Sequence, residues 1–173
     1  FGGKVIGEIF TPDTRPQIAS VKPGMFNRQP VMKNERCDIT MINTVFLDSI
    51  ETKVKAIRIT RTPRQGLPVE KAQAVVCGGY GVETVENWHE IEKLAGLLGG
   101  AAGCTRPALD AGWTDDEGSM IGTSGKSVKP SLYIGVGISG AAQHTCGMKD
   151  AGTTIVINTD KNAEMFKAAD YKV

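Results

Sequence analysis

No apolar run in this chain of 173 residues comes near the roughly 20 residues that a membrane-spanning helix needs, and no charged-then-apolar leader opens it. The sequence therefore points away from membrane insertion. Excess charge is also lacking. Lys and Arg number 20 against 19 Asp and Glu, a net charge of +1, so no basic face is available to attract nucleic acid or an anionic lipid surface. The four cysteines, Cys37, Cys77, Cys104 and Cys146, include no C-x-x-C pair, which argues against a zinc or iron–sulfur site. Cys77 and Cys104 end apolar runs and read as buried free thiols, the pattern of a reducing compartment. Histidine is scarce, with only His89 and His144. No repeat of 20–50 residues is visible.

Glycine is abundant, at 21 residues against a usual share of about 7%, and much of it falls where strands end. The first part of the chain, residues 1–66, has short β-like runs at 4–10, 16–21, 38–46 and 53–60, broken by Pro, Asn, Arg and Asp, and has no helical stripe. It reads as a strand-rich layer too small to bury a core alone. TRTPRQGLPV, residues 60–69, reads as a linker. From Glu70 the pattern becomes alternating strand and helix. Strands are predicted at 72–77, 101–104, 132–137 and 153–158. Helices are predicted from about Thr84 (N-cap), after Pro107, over 139–149 and over 163–169. Such alternation implies an α/β fold around a mostly parallel sheet. Val85, Trp88, Ile91, Leu94, Ala95 and Leu98 share one face of the first helix, which Gly99 and Gly100 end.

The densest stretch is LYIGVGISGAAQH, residues 132–144, where a buried-type strand turns through glycines into a predicted helix. Main-chain N–H groups at such a switch suit a phosphate. Gly135, Gly137 and Gly140 satisfy G-x-G-x-x-G, with Asp160 placed 20 residues on as a ribose acid would be. Gly135 lies inside the apolar run, however, so a phosphate cradle of another α/β type competes with a dinucleotide fingerprint. GGYG, residues 78–81, is a second glycine turn at the same sheet edge. Arg106 leaves a strand at that edge and could face an anion or an electron-rich ring, or make a structural ion pair. His144 is placed by this pattern in the first helical turn, pointing at the site, where an imidazole could steady negative charge; a capping or packing role is the plainer alternative. MIGTSGK, residues 120–126, lacks Walker A spacing, so Lys126 is not a phosphate lysine. Its Thr123 and Ser124 offer hydroxyls, either to a ligand or to an ST-turn.

GGYG, CTRPALDAGW, MIGTSGK, LYIGVGISGAAQHTCGMKD and TIVINTD occur in an order and spacing that resemble the electron transfer flavoprotein α subunit, and specifically its FAD-binding domain. FGGKVIGEIFTPDTRPQIASVKPGMF, residues 1–26, is similar to the last part of that family's first domain. The resemblance implies a parallel-sheet, FAD-binding α/β sandwich over 70–173, preceded over 1–66 by the end of a truncated, strand-rich first domain, with the linker reaching 69. It implies FAD as cofactor, a β subunit as partner, and an acyl-CoA dehydrogenase or similar donor. The location it implies is the bacterial cytoplasm or the mitochondrial matrix. By the same resemblance, Thr105 and Arg106 lie by the flavin ring, Arg106 stabilising a one-electron-reduced anionic flavin with His144 beside it. Ile121, Gly122, Thr123 and Ser124 line the ring, Ser124 donating toward N5. Ser139, Gly140, Ala141 and Ala142 hold the cofactor at the helix start, Gln143 and His144 reach the ribityl and pyrimidine side, and Asn158 serves the pyrophosphate or adenosine end. Tyr80 stands where the family commonly has Arg, Met120 where it commonly has Gln, and Cys104 and Pro107 where Ala is frequent. Those departures leave room for a bifurcating member that uses NADH and ferredoxin. Two further readings stand beside the carrier: a non-redox nucleotide-binding module and an NAD(P)-binding domain of related fold.

Overall fold

The computed structural model describes residues 7–21, 40–41, 43, 45, 49–50, 53–59 and 66–173. The chain divides into two compact units, one comprising Phe1–Met25 and Gln65–Val173 and the other Phe26–Arg64. In the larger unit five strands form one all-parallel sheet: β1 (Ala74–Gly78), β2 (Ala101–Cys104), β3 (Leu132–Val136), β4 (Thr153–Ile157) and β5 (Tyr171–Lys172), in the order β2-β1-β3-β4-β5. The α/β sandwich expected from the sequence is therefore present. The order is that of a doubly wound sheet whose direction of winding reverses between β1 and β3. The register is continuous across the reversal, with Cys77 opposite both Gly103 and Gly135, and Gly135 opposite Val156.

Both faces of the sheet are covered, as parallel sheets require. Val76 and Ile134 point to a core shared with Val82, Trp88, Ile91, Ala95 and Ala108. Val75, Cys77, Tyr133 and Val156 point the other way, toward Ile121, Ile138, Met148 and Met165. Helix α1 (Val85–Leu97) forms because Thr84 caps it, its Oγ1 accepting from the Asn87 N–H at 3.2 Å, and because Trp88, Ile91 and Ala95 align on the sheet. Val85 and Leu98, assigned by periodicity to that face, are exposed at its ends. Helix α2 (Arg106–Asp110) starts after Thr105 with Pro107 in its first turn.

Three expectations change. The helix predicted over 139–149 is only α3 (Ala142–Thr145), four residues long. Ser139, Gly140 and Ala141 stay irregular because Gly140 sits at φ +95°, where a Cβ would collide with the main chain at Glu164–Met165. The helix predicted over 163–169 is a 3₁₀ helix, Glu164–Ala168. The described parts of the β-like runs before residue 60 hold no strand. Ile9, Phe10, Ile18, Ile57 and Ile59 are each at least 80% exposed, so their alternation meets no facing layer among the described residues, and a strand without a hydrogen-bonded neighbour does not persist. The remainder of those runs lies outside the described residues.

Candidate functional site

The loops leaving β1 and β3 meet at the carboxyl edge of the sheet, where the winding reverses. They cross main chain on main chain: Gly81 N–H donates to Gly137 O at 2.9 Å, and Gly79 N–H donates to Val136 O at 2.8 Å. Gly137 adopts φ +62°, and a Cβ there would lie 2.6 Å from the Gly81 carbonyl carbon. The glycines that sequence reasoning took for a phosphate cradle thus serve first to let two loops touch.

Above this crossing lies a cavity of about 500 Å³. It runs along the strand ends from Thr105, Arg106 and Pro107 after β2, through Gly79–Gly81 and Gly137, Ile138, Ser139 and Ala141, to Asn158 and Asp160 after β4. Four adjacent strands at about 4.8 Å spacing give it a length of about 14 Å, the shape of an elongated ligand. Its second wall is the Met120–Gly125 loop. That loop is pinned to β2 by Ile121 N–H to Cys104 O (2.9 Å) and to α3 by Thr123 N–H to Gln143 O (2.7 Å). Gly122 sits at φ +142° in contact with the Gln143 main chain.

Most of the residues predicted to form a site are brought together. Thr105, Arg106, Ile121, Gly122, Thr123, Ser124, Ser139, Ala141, Gln143, His144 and Asn158 all line the cavity; Gly140 and Ala142 adjoin it in sequence and do not line it. Ser124, Ser139 and Gln143 are exposed, while Thr105 is only 6% exposed and its Oγ1 has no partner among the described residues. Arg106 bonds Asp110 through Nε at 2.7 Å, and Asp110 holds its guanidinium above the usual range. Asn158 donates through Nδ2 to Ile138 O at 2.9 Å and accepts the Asp160 N–H at 2.9 Å, so its amide ties two loops together.

Of the roles open to His144, the structure shows the packed, hydrogen-bonded one. It is buried, with Nδ1 3.0 Å from Ile121 O and Nε2 2.7 Å from the Tyr133 hydroxyl. A carbonyl only accepts, so Nδ1 carries the proton and donates to Ile121, and Nε2 accepts from Tyr133. Burial pushes the imidazole from 6.5 down to about 4, against the Ile121 bond, which opposes the shift. The ring is neutral at pH 7, and its edge forms part of the wall.

The sequence reading missed several contributors. Tyr80, which lines the cavity, stacks on Trp113 with centroids 5.4 Å apart and planes 22° apart. The sequence places Tyr80 in the β1 turn, where the resembling family commonly has Arg, but gives no sign of its stack on Trp113. Asp110 could have been found from its spacing, four residues after Arg106 on a helix. Tyr133 looked like ordinary strand core.

Residues 68–149 match the family model described as the electron transfer flavoprotein FAD-binding domain. The chain is 36% identical over 173 residues, all of it and 51% of the other protein, to the protein FixB of Clostridium saccharobutylicum. It is 36% identical over 174 residues, all of it and 52% of the other, to the electron transfer flavoprotein subunit alpha of Thermoanaerobacterium thermosaccharolyticum. It is 32% identical over 169 residues, 98% of it and 40% of the other, to the lactate dehydrogenase (NAD(+),ferredoxin) subunit LctC of Acetobacterium woodii. The chain spans about half the length of the first two.

FAD is the cofactor of the matched domain, and the cavity fits it. The buried Thr105 hydroxyl, without a partner among the described residues, can take a polar group of the ligand. The amides of Ser139, Gly140 and Ala141 donate to none of the described residues, which leaves main-chain donors for a phosphate. The lining is otherwise largely apolar, as a ring system needs.

Proposed function

The chain belongs to the electron transfer flavoprotein α-subunit family, and from that premise we propose that it is an FAD-dependent electron carrier. It accepts electrons from dehydrogenases, such as an acyl-CoA dehydrogenase, and passes them to a downstream acceptor, working with the family's β subunit. In this reading residues 70–173 are the FAD-binding domain and 1–66 belong to the domain before it. The free buried thiols Cys77 and Cys104 suit a reducing, cytoplasmic setting. No helix among the described residues is long and apolar enough to cross a membrane.

FAD, when bound, supplies the redox chemistry; the chain binds and orients it and sets its electrostatics. Arg106 lies at the β2 end of the cavity and Asp160 at the β4 end, and this polarity is the observation that carries the reading. The cation suits the end where negative charge develops on a reduced ring. The unpaired amides of Ser139, Gly140 and Ala141 suit the pyrophosphate between the two ends. Thr105 and Ser124 present hydroxyls toward the ring, Ser124 toward N5, and Ile121, Gly122 and Thr123 form the face beside them. Gln143 continues that wall, and Ala142 opens the helix that carries it. His144 acts as a neutral brace for the Ile121 carbonyl, and Asn158 fixes the adenosine-side loops.

Reconstitution with FAD followed by stepwise dithionite reduction tests the proposal. The expected result is a flavin band in the wild type and a lower first reduction potential in Arg106→Leu. Absence of flavin uptake in the presence of the β subunit would leave a non-redox nucleotide module. A second version rests on the similarity to LctC, a lactate dehydrogenase (NAD(+),ferredoxin) subunit. Rapid reduction of the bound flavin by NADH in stopped flow would favour it over the acyl-CoA-linked version.

A further inference from the structure

Arg106 and Asp110 occupy the first and last positions of α2, a helix of five residues. Each stands at the wrong end for helix stability. The positive end of the helix dipole faces the arginine and the negative end faces the aspartate. The order of the pair, cation before anion at i and i+4, is also the weaker one. Both side chains are exposed, at 66% and 58%, where an ion pair stabilises a fold little. Yet the bond is short and single: Nε to Oδ1 at 2.7 Å. Nη1 and Nη2 donate to none of the described residues, and Arg106 is the one lysine or arginine among the described residues lining the cavity. Asp110 itself does not line it.

We propose that Asp110 is a positioning residue for the cofactor site: by holding Nε it fixes the guanidinium plane and leaves the two terminal nitrogens free for the bound ring. The assignment rests on the FAD-carrier reading above. A planar guanidinium gripped at one edge loses little further freedom when the opposite edge binds. Asp110 is also a negative charge near the ring, and that effect acts in the opposite direction. If it merely screened Arg106, its removal would make the site more positive and raise the flavin potential. If it positions Arg106, its removal lets the cation swing into solvent, and the potential falls.

The sign of the shift decides between the two. Redox titration and FAD binding are measured on the FAD-loaded protein as wild type, Asp110→Asn, Asp110→Glu, and Asp110→Asn combined with Arg106→Leu. The expected result for Asp110→Asn is a lower first potential and about tenfold weaker FAD binding, from loss of an aligned charge-assisted contact. Asp110→Glu, whose carboxylate still reaches Nε, stays close to wild type. In the Arg106→Leu background the same Asp110→Asn change raises the potential, because only charge remains to be lost. A rise in the single variant, or no shift at all, overturns the positioning role while leaving the carrier reading intact. A wild type that takes up no flavin removes both.

Discussion

Lowering the pH from 7 to 5 will cost this protein about 2 kcal/mol of stability through His144 alone. In the folded chain burial holds the imidazole near 4, whereas its ordinary value is 6.5. Above 6.5 both states are neutral and the side chain contributes no pH dependence. Between 6.5 and 4 the unfolded chain takes up a proton that the folded chain refuses, so stability falls as pH falls, at about 1.4 kcal/mol per unit. The whole window is worth about 3 kcal/mol, of which pH 7 to 5 covers about 2. The facing groups do not confuse the slope: Tyr133 and Cys77 are both raised by burial and stay neutral throughout. Urea unfolding at pH 7 and pH 5 measures the loss, and His144→Asn, whose amide can still donate to Ile121 O, provides the reference. His89 is exposed on α1 and common to both proteins, so it cancels. Wild type should lose about 2 kcal/mol more than the variant between the two pH values. Equal losses, or an NMR titration placing folded His144 near 6.5, would refute the buried neutral brace.

Other perturbations follow from the same geometry. Gly137→Ala forces a side chain into φ +62° and against Gly81, and should destabilise by at least about 2 kcal/mol in urea unfolding. Gly96→Ala, on exposed α1 with nothing within 4 Å, should stabilise by about 0.5–1 kcal/mol. Thr84→Ala removes the cap on Asn87 N–H and should cost about 1 kcal/mol, read from the denaturation midpoint at unchanged m-value. A double-mutant cycle between Tyr80→Ala and Trp113→Ala should return a coupling of about 0.5–1.5 kcal/mol; zero coupling would deny the stack.

Strong local signals made much of the sheet legible in the sequence. The runs ending at Cys77, Cys104 and Val136 are short and apolar and stop at glycine or at a cap, so β1, β2 and β3 could be placed nearly to the residue. Thr84 and Gly99 bracketed α1 for similar reasons. The site's members were legible because they sit directly after strands. Their roles were not, since a role depends on contacts across 11 to 67 residues of chain. Tyr133, Ile121 and Cys77 surround His144, and no period in the sequence links them. Gly140 in the left-handed region cut short the helix that composition favoured. The β-like runs before residue 60 show the converse: alternation records a preference for a pleated, half-covered surface, and that preference is realised only when another layer supplies the cover.

The Gly81–Gly137 crossing gives the cavity a floor made of peptide groups alone. At the crossing itself any side chain would collide with the opposite main chain, so the platform admits no variation there. Change is channelled to what projects above it. Position 80, in the middle of the β1 turn, carries a side chain that is 65% exposed and is free to be exchanged without disturbing the strands below. One corner of the site, aromatic here, can therefore be retuned while the main-chain platform beneath it stays the same.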